Sequence, residues 1–409
     1  MMLATSTAAE AAPVVLLSLA VILVSAKLVG ELAERVHQPA VVGELLAGVL
    51  LGPSLLGLVD PSGSSWLHLF GQIGVVILLF QIGLETDLKR LLGVGGVAFT
   101  VAVVGVAVPF ALGYGVCRMM GLPNLESVVA GAALTATSVG ITARVLSDLG
   151  RLQDVESQVV LGAAVIDDVI GLVILAVVSR VVGGGTVTAG NVALTTAAAF
   201  GFVIAAVVIG RLVVPPVFRL LARIGRPESL APMGLAVGFL VAVLAHAAGS
   251  ALIVGAFAAG LVFQPTAHAP VIERGVTRLG HFFVPIFFVS VGAAVDVRTL
   301  GDGRVLAIGG LLIVVAVLGK LAAGFAPIWF RGRKLVVGVG MIPRGEVGLI
   351  FAQTGLIAGV LDPGLFASVT AMVLVTTFLA PPALKALLGS AGAAPASGAG
   401  GSAELVTEA

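Results

Sequence analysis

The chain contains about thirteen apolar stretches, most of them near twenty residues long, separated by turn residues and charges. An α-helix needs about 20 apolar residues to cross a bilayer, and its backbone groups are then hydrogen-bonded within the segment. The sequence therefore predicts an all-α polytopic membrane protein with about 13 transmembrane helices. The stretches lie at 13–34, 38–57, 66–85, 91–118, 125–147, 156–180, 190–222, 228–247, 250–265, 277–296, 303–327, 334–360 and 363–389.

Composition agrees with a membrane protein and excludes several classes of site. Of the 409 residues, 59% are hydrophobic and 11% charged, which is far from a soluble domain. The 55 glycines favour close helix contacts and broken helices. One cysteine and five scattered histidines offer no disulfide framework or metal site, and we expect no cofactor and no nucleic-acid partner. Residues 1–12 form a short N-terminal tail, and the Ala/Gly/Ser-rich residues 390–409 are expected to be a disordered tail.

The distribution of basic residues predicts the orientation of the chain in the bilayer. Alternate connections carry 14 basic residues on one side and four on the other. Since cytoplasmic loops are enriched in Lys and Arg, the richer side is cytoplasmic, with the N-terminus outside and the C-terminus inside. The remaining four basic residues lie within spans: Lys27, Arg211, Lys320 and Arg344.

An internal repeat relates the two halves of the chain. The segment Ala40–Pro53 matches Leu252–Pro265, Leu79–Asp87 matches Phe288–Asp296, and Thr137–Ile141 lies against Gly345–Leu349. Each pair is seven spans apart, and seven is odd, so the repeats run in opposite directions through the membrane. This inverted repeat is the plan of secondary transporters, whose sites lie near the midplane where discontinuous helices meet.

Two adjacent acids, Asp167 and Asp168, lie in the middle of the apolar run Val159–Val178. A carboxylate at that depth costs about 2.5–3.5 kcal/mol on insertion scales and usually faces a cavity or a partner. Packing alone could explain one buried acid, but two are more costly. The pair therefore predicts an ion or proton site.

Two spans are predicted to be discontinuous, and we expect them to cross beside the acids. Thr135–Thr142 is loosened by hydroxyls and glycine, and Gly340–Gly348 contains Pro343, which removes a backbone donor. Freed carbonyls and the hydroxyls of Thr137 and Ser138 are hard oxygen ligands, suited to a small cation such as sodium. The same hydroxyls could instead join helices by hydrogen bonds.

Three further charged residues lie in apolar surroundings. Lys320 is too deep to reach either membrane surface easily, so it requires an acid partner, naturally Asp167 or Asp168. It is a candidate for coupling proton movement to cation movement, or for a static ion pair. Arg344 and Glu346 flank Gly345 and are expected to balance helix-end dipoles at the crossing.

Taken together, several motifs resemble the monovalent cation:proton antiporters, specifically the second such family and its bacterial sodium/proton members with an acid pair. The motifs are His37–Glu44, Thr135–Ser138, Ile166–Asp168, Phe287–Val289 and Arg344–Glu346. The resemblance implies the sodium/proton antiporter fold, a homodimer and a bacterial inner membrane. It also implies a dimerisation part at 13–85 and 228–296, a core part at 91–180 and 303–389, and a linking helix at 190–222.

The resemblance also implies roles for individual residues. Asp168 is similar to the aspartate that binds sodium or a proton alternately, with Thr137 and Ser138 nearby. Asp167 is similar to the salt-bridge partner of the lysine, here Lys320, and an acid at this position implies electrogenic exchange. The implied protein is a transporter rather than an enzyme.

Three alternatives remain open at this point. A potassium/proton antiporter of the same fold would use the same residues. An intramembrane aspartyl protease needs its acids on two facing helices, whereas Asp167 and Asp168 are neighbours that point about 100° apart on one helix. A channel would conduct without coupling to protons.

Overall fold

The computed structural model describes residues 8–60, 65–182, 189–224, 229–294, 297–298 and 303–389. In these ranges the regular secondary structure is helical, without strands, and comprises sixteen α-helices. The predicted tails at 1–12 and 390–409 lie outside the described residues, except that the first helix begins at Ala8. The helices are α1 Ala8–Arg35, α2 Ala40–Leu51, α3 Ser65–Glu85, α4 Leu88–Gly93, α5 Gly95–Met119, α6 Asn124–Ala133, α7 Val139–Asp148, α8 Val155–Val182, α9 Ala189–Ile224, α10 Leu230–Ala247, α11 Leu252–Phe263, α12 Ala269–Ala293, α13 Gly303–Phe325, α14 Lys334–Gly340, α15 Glu346–Ile357 and α16 Pro363–Gly389.

Nine of the described helices are long and apolar enough to cross a membrane: α1, α3, α5, α8, α9, α10, α12, α13 and α16. Each predicted span coincides with one helix or with a pair of shorter ones. The boundaries differ most in three places. Helix α2 ends at Leu51, six residues before the end of the span predicted at 38–57. The span at 91–118 is two helices joined at Val94, and α12 begins eight residues before the predicted start of its span. The early turns of α12 carry Glu273, Arg274 and Arg278, and hydropathy does not detect a helical turn that lies outside the hydrocarbon.

The internal repeat is visible in the packing of the helices. Gly48 of α2 lies against Gly292 of α12, and Gly260 of α11 lies against Gly83 of α3, so closely that a Cβ on any of the four would overlap backbone of the opposite helix. In the sequence repeat Gly48 corresponds to Gly260, and Gly83 to Gly292. The two crossings are therefore equivalent contacts, each made by one helix from either repeat, and glycine is needed at both because backbones touch there.

Two spans are discontinuous, as predicted. The first consists of α6 and α7 with a break at residues 134–138, and the second consists of α14 and α15 with a break at 341–345. The breaks cross at a backbone hydrogen bond in which the Ser138 amide donates to the Pro343 carbonyl at 2.8 Å. Gly345 is required at this crossing because a Cβ there would lie 2.6 Å from the Ser138 hydroxyl oxygen.

The helices pack in two groups that share few contacts. Helices α1 to α3 pack mainly on α10 to α12, whereas α5, α6 and α8 pack mainly on one another and on α13 to α16. Helix α9 contacts α8, α10 and α11. The division into a dimerisation part, a core part and a linking helix stays a prediction.

Candidate ion-binding site

Both acids of the pair are buried near the middle of α8. Asp167 has no exposed surface and Asp168 retains 5%. Because neighbouring residues on a helix point about 100° apart, the two carboxylates face different surroundings. The carboxylate oxygens of Asp168 are buried as well, so its small exposed fraction lies elsewhere on the residue.

Lys320 of α13 is fully buried and pairs with Asp167. Its Nζ lies 3.4 Å from Asp167 Oδ2 and 3.5 Å from Oδ1. The ammonium group also lies close to Gly105 of α5, where a Cβ would be 3.3 Å from Nζ. One turn along α5, Pro109 packs on Gly319, where a Cβ would lie 2.8 Å from the proline ring. The lysine is therefore held between α5, α8 and α13 with little free space.

The crossing of the two breaks supplies hydroxyl and carbonyl oxygens. Thr137 and Ser138 are both buried there. The Thr137 hydroxyl donates to the Met341 carbonyl at 3.4 Å, and the Thr142 hydroxyl donates to the Gly340 carbonyl at 2.7 Å. These bonds satisfy carbonyls that the end of α14 leaves without helical partners. They also fix the two discontinuous spans to each other.

Arg344 fills the centre of the crossing and is completely buried. Its guanidinium donates to the carbonyls of Ala136 at 3.1 Å, Met341 at 3.5 Å and Ala316 at 3.5 Å. The Ala136 and Met341 carbonyls follow the C-terminal ends of α6 and α14, which carry partial negative charge. The guanidinium of Arg344 therefore lies beside both helix ends, and its role in balancing their dipoles stays a prediction. The side chain of Glu346, the other residue expected to do so, lies outside the described residues.

Helix α8, which carries the acid pair, packs against α6, α7, α14 and α15, the helices of both broken spans. The elements that carry Asp168, Thr137 and Ser138 thus meet in one region. Carboxylate, hydroxyl and carbonyl oxygens are the ligands that small hard cations prefer. Across the part of the chain that the structure describes, no group of three or more His, Cys, Asp or Glu residues could hold a metal ion.

Sequence reasoning missed three residues that shape this region. Gly105 leaves room for the Lys320 ammonium, Thr142 joins the two breaks, and the Thr377 hydroxyl of α16 donates to the Arg344 carbonyl. Thr142 lies within the hydroxyl-rich segment that suggested the first break, so the sequence did contain a signal for it. No local sequence pattern distinguishes Gly105 and Thr377 from the other glycines and threonines of the chain.

Comparison with known proteins agrees with this architecture. The chain is 41% identical to the high-affinity Na(+)/H(+) antiporter NhaS3 of Synechocystis sp., covering 94% of this chain and 93% of that protein. It is 36% identical to the Na(+)/H(+)-K(+) antiporter GerN of Bacillus cereus, covering 91% and 96%. The fold is similar to that of the sodium proton antiporter MjNhaP1 from Methanocaldococcus jannaschii, with a TM-score of 0.67, 19% identity and coverage of 92% and 98%.

The family profile described as "Sodium/hydrogen exchanger, transmembrane" matches residues 19–389, which is most of the chain. This match does not distinguish the numbered subfamilies, so membership of the second cation:proton antiporter family stays a prediction. The protein is a multi-pass transporter that belongs to the sodium/hydrogen exchanger family.

Proposed function

We propose that this protein exchanges sodium, or lithium, for protons across a bacterial inner membrane by alternating access, with the two ions competing for Asp168. The observation that carries the proposal is the different state of the two acids. Asp167 is fully buried and paired with Lys320 at 3.4 Å, whereas Asp168, its neighbour on the same helix, points about 100° away from that pair. The names of the relatives NhaS3 and GerN support sodium as one of the ions.

Competition at a single carboxylate produces exchange without any further device. Asp168 holds either a proton or a largely dehydrated cation, the latter helped by the hydroxyls of Thr137 and Ser138. The Asp168 carboxylate is neutralised in each occupied form, and the empty form carries a charge that is costly to move through apolar surroundings. The site therefore crosses the membrane only when it is loaded, and one full cycle carries one kind of ion each way.

Alternating access requires the core part to move against the dimerisation part. On the side rich in basic residues, the Ser147 hydroxyl of α7 donates to Glu85 Oε2 of α3 at 3.3 Å, and the Gln153 side chain donates to the Glu85 carbonyl. On the other side, the gap between Leu45 and Thr377 has a volume of only about 10 Å³, which is about one water. We infer that this movement breaks the hydrogen bonds to Glu85 on one side of the membrane. On the other side it changes the width of the gap between Leu45 and Thr377.

The assignment of Asp168 is tested in proteoliposomes with a preformed proton gradient and a pH-sensitive dye. Sodium added to the wild-type protein dissipates the gradient, and Asp168→Asn removes the response because Asn cannot exchange a proton. The control is Asp87→Asn, which changes a partly exposed acid at the start of α4 that Asn can replace as N-cap. Full sodium response in Asp168→Asn contradicts the proposal.

A potassium/proton antiporter is the second candidate, because the name of GerN includes potassium as well as sodium. The same vesicles distinguish the two candidates. A series of lithium, sodium, potassium and rubidium chlorides gives the half-maximal concentration for each cation. A response to potassium that is larger than the response to sodium supports the second candidate and contradicts the first.

We also propose that Lys320 makes the exchange electrogenic. When a cation takes up the charge of the acid pair, the ammonium group loses part of its stabilisation and can release its proton to water. More than one proton then moves for each sodium ion. In Lys320→Gln vesicles, exchange should continue while its dependence on membrane potential disappears. Unchanged potential dependence would contradict this role.

An exposed ion pair among apolar residues on α1 supports the proposed homodimer. Lys27 and Glu31 form an ion pair at 3.3 Å with side chains 77% and 47% exposed, and the exposed residues Val24 and Leu28 lie near them on the same helix. An ion pair facing lipid is costly, so a second copy is expected to cover it. Leu28→Cys in a Cys117→Ala background should form a disulfide-linked dimer on oxidation. A chain that stays monomeric throughout contradicts this interface.

A further inference from the structure

A cavity of about 380 Å³ lies where α9 passes the loop between α11 and α12. Its lining includes Arg211 and Pro215 of α9, Val262 of α11, and Thr266 and His268 of the loop. The volume is within the range of about 300–1,000 Å³ that is typical of ligand sites. Two basic side chains and apolar walls share this cavity, which favours an anionic ligand with an apolar part.

Arg211 lies within the apolar span Val192–Phe218 and is exposed on the side of the bundle. Among the residues that the structure describes, no carboxylate pairs with it. Arginine within a span is costly unless it finds an anion or reaches the membrane surface. The cavity therefore places an unmatched positive charge beside the lipid.

The length of α12 indicates how deep in the membrane the cavity lies. The twenty residues Arg274–Ala293 of α12 are enough to cross the hydrocarbon core. His268 is the N-cap of α12, six residues before Arg274, so it lies outside these twenty residues and near the membrane surface. This is the depth of the phospholipid headgroups, and it lies on the membrane side that carries Arg274 and Arg278.

The packing of α9 explains why the cavity forms there. Gly210 lets α9 approach α11 closely, since a Cβ would lie 2.7 Å from Val262 Cγ2. Next to this contact along α9, Pro215 lacks an N–H and cannot donate to the carbonyl of Arg211, four residues earlier. The cavity therefore offers the guanidinium of Arg211 and the imidazole of His268 as hydrogen-bond donors.

We propose that this cavity binds the headgroup of an anionic phospholipid. The phosphate lies between Arg211 and His268, and the acyl chains follow the exposed apolar surface of α9, where Leu212 is 73% and Val208 54% exposed. Basic pockets between transmembrane helices on the cytoplasmic side are suited to such headgroups. The proposal does not depend on which ions the protein transports.

The test uses the purified full-length protein, delipidated in detergent, with phosphatidylglycerol or phosphatidylcholine added. Lipid binding is measured by native mass spectrometry and by the shift in melting temperature. The charge of Arg211 in the cavity contributes about 1 kcal/mol, which is about 5-fold in affinity, so Arg211→Gln with His268→Gln should weaken phosphatidylglycerol binding by about 5-fold or more. Arg211→Lys should retain most of the binding because it keeps the charge.

The matched control is Arg274→Gln, which removes an exposed basic residue on the same side of the membrane, outside the cavity. It should bind phosphatidylglycerol like the wild type. Equal binding of phosphatidylcholine, or unchanged phosphatidylglycerol binding in the double variant, would overturn the proposal. So would full protection by soluble glycerol phosphate at the same concentration, because a lipid site requires the acyl chains.

Discussion

Separating the Lys320–Asp167 pair should destabilise the protein more than removing both charges together. At 3.4 Å and an effective dielectric constant of about 20, the attraction between the two charges is about 5 kcal/mol. Removing one member of a buried pair costs about 3–5 kcal/mol because the other charge stays buried without compensation. Lys320→Met and Asp167→Asn should each show this loss, whereas the double variant should be at least as stable as either single variant.

The assay is a double-mutant cycle of thermal unfolding in detergent. A loss of about 3 kcal/mol corresponds to about 6–12 °C in a domain of 150–250 residues, and the larger chain should lie at or below the lower end of that range. The coupling energy between the two sites is expected to be about 3 kcal/mol. Additive losses in the double variant would refute the reasoning, because they would mean that neither charge depends on the other.

The control is the Arg151–Asp154 pair, which has the same nitrogen–oxygen distance of 3.4 Å. Its side chains are 30% and 27% exposed instead of buried. Water and salt screen such a pair, so its coupling energy should stay below about 1 kcal/mol. The comparison separates the effect of burial from the effect of distance.

Three further predictions concern packing. Gly292→Ala should lower the melting temperature and the yield of folded protein, because the Cβ overlaps backbone of α2, whereas Gly96→Ala, whose Cβ meets nothing within 4 Å, should be neutral or slightly stabilising. Gly105→Val should reduce transport and lower the melting temperature, since its larger side chain displaces the Lys320 ammonium from Asp167; transport and melting temperature equal to the wild type would contradict this. Cys117, which has no exposed surface, should react with maleimide only after unfolding, and rapid labelling of the folded protein would contradict its burial.

Local patterns in the sequence were sufficient for the membrane helices and for the positions of the two breaks. Hydropathy depends on about twenty neighbouring residues, and Pro343 or a run of hydroxyls weakens a helix through its own backbone. The repeat was also visible, because Gly48 and Gly260 occupy equivalent crossings and the same steric demand acts on both. The boundaries of α12 were less accurate, since its charged early turns stay helical outside the hydrocarbon.

The depth of Lys320 in its span narrowed its partner to two acids, and only the resemblance to the antiporters pointed to Asp167. Asp167 and Asp168 are neighbours with the same chemistry, and only the rotation of α8 relative to α13 places Asp167 Oδ2 at 3.4 Å from the ammonium group. The pair is 153 residues apart in the chain, so no local pattern can specify the distance. The same holds for Gly105, whose importance comes from a lysine on another helix.

By itself, the sequence determined that the chain crosses a membrane many times as helices, that its halves are inverted copies, and that two acids lie at mid-depth. These properties follow from the cost of placing polar groups in lipid, which each segment meets alone. Tertiary structure decided which acid meets Lys320, which carbonyls Arg344 satisfies, and where Arg211 faces a cavity. Those outcomes depend on the rotation and contact of helices that are distant in the chain, and packing fixes them only when all the helices are assembled.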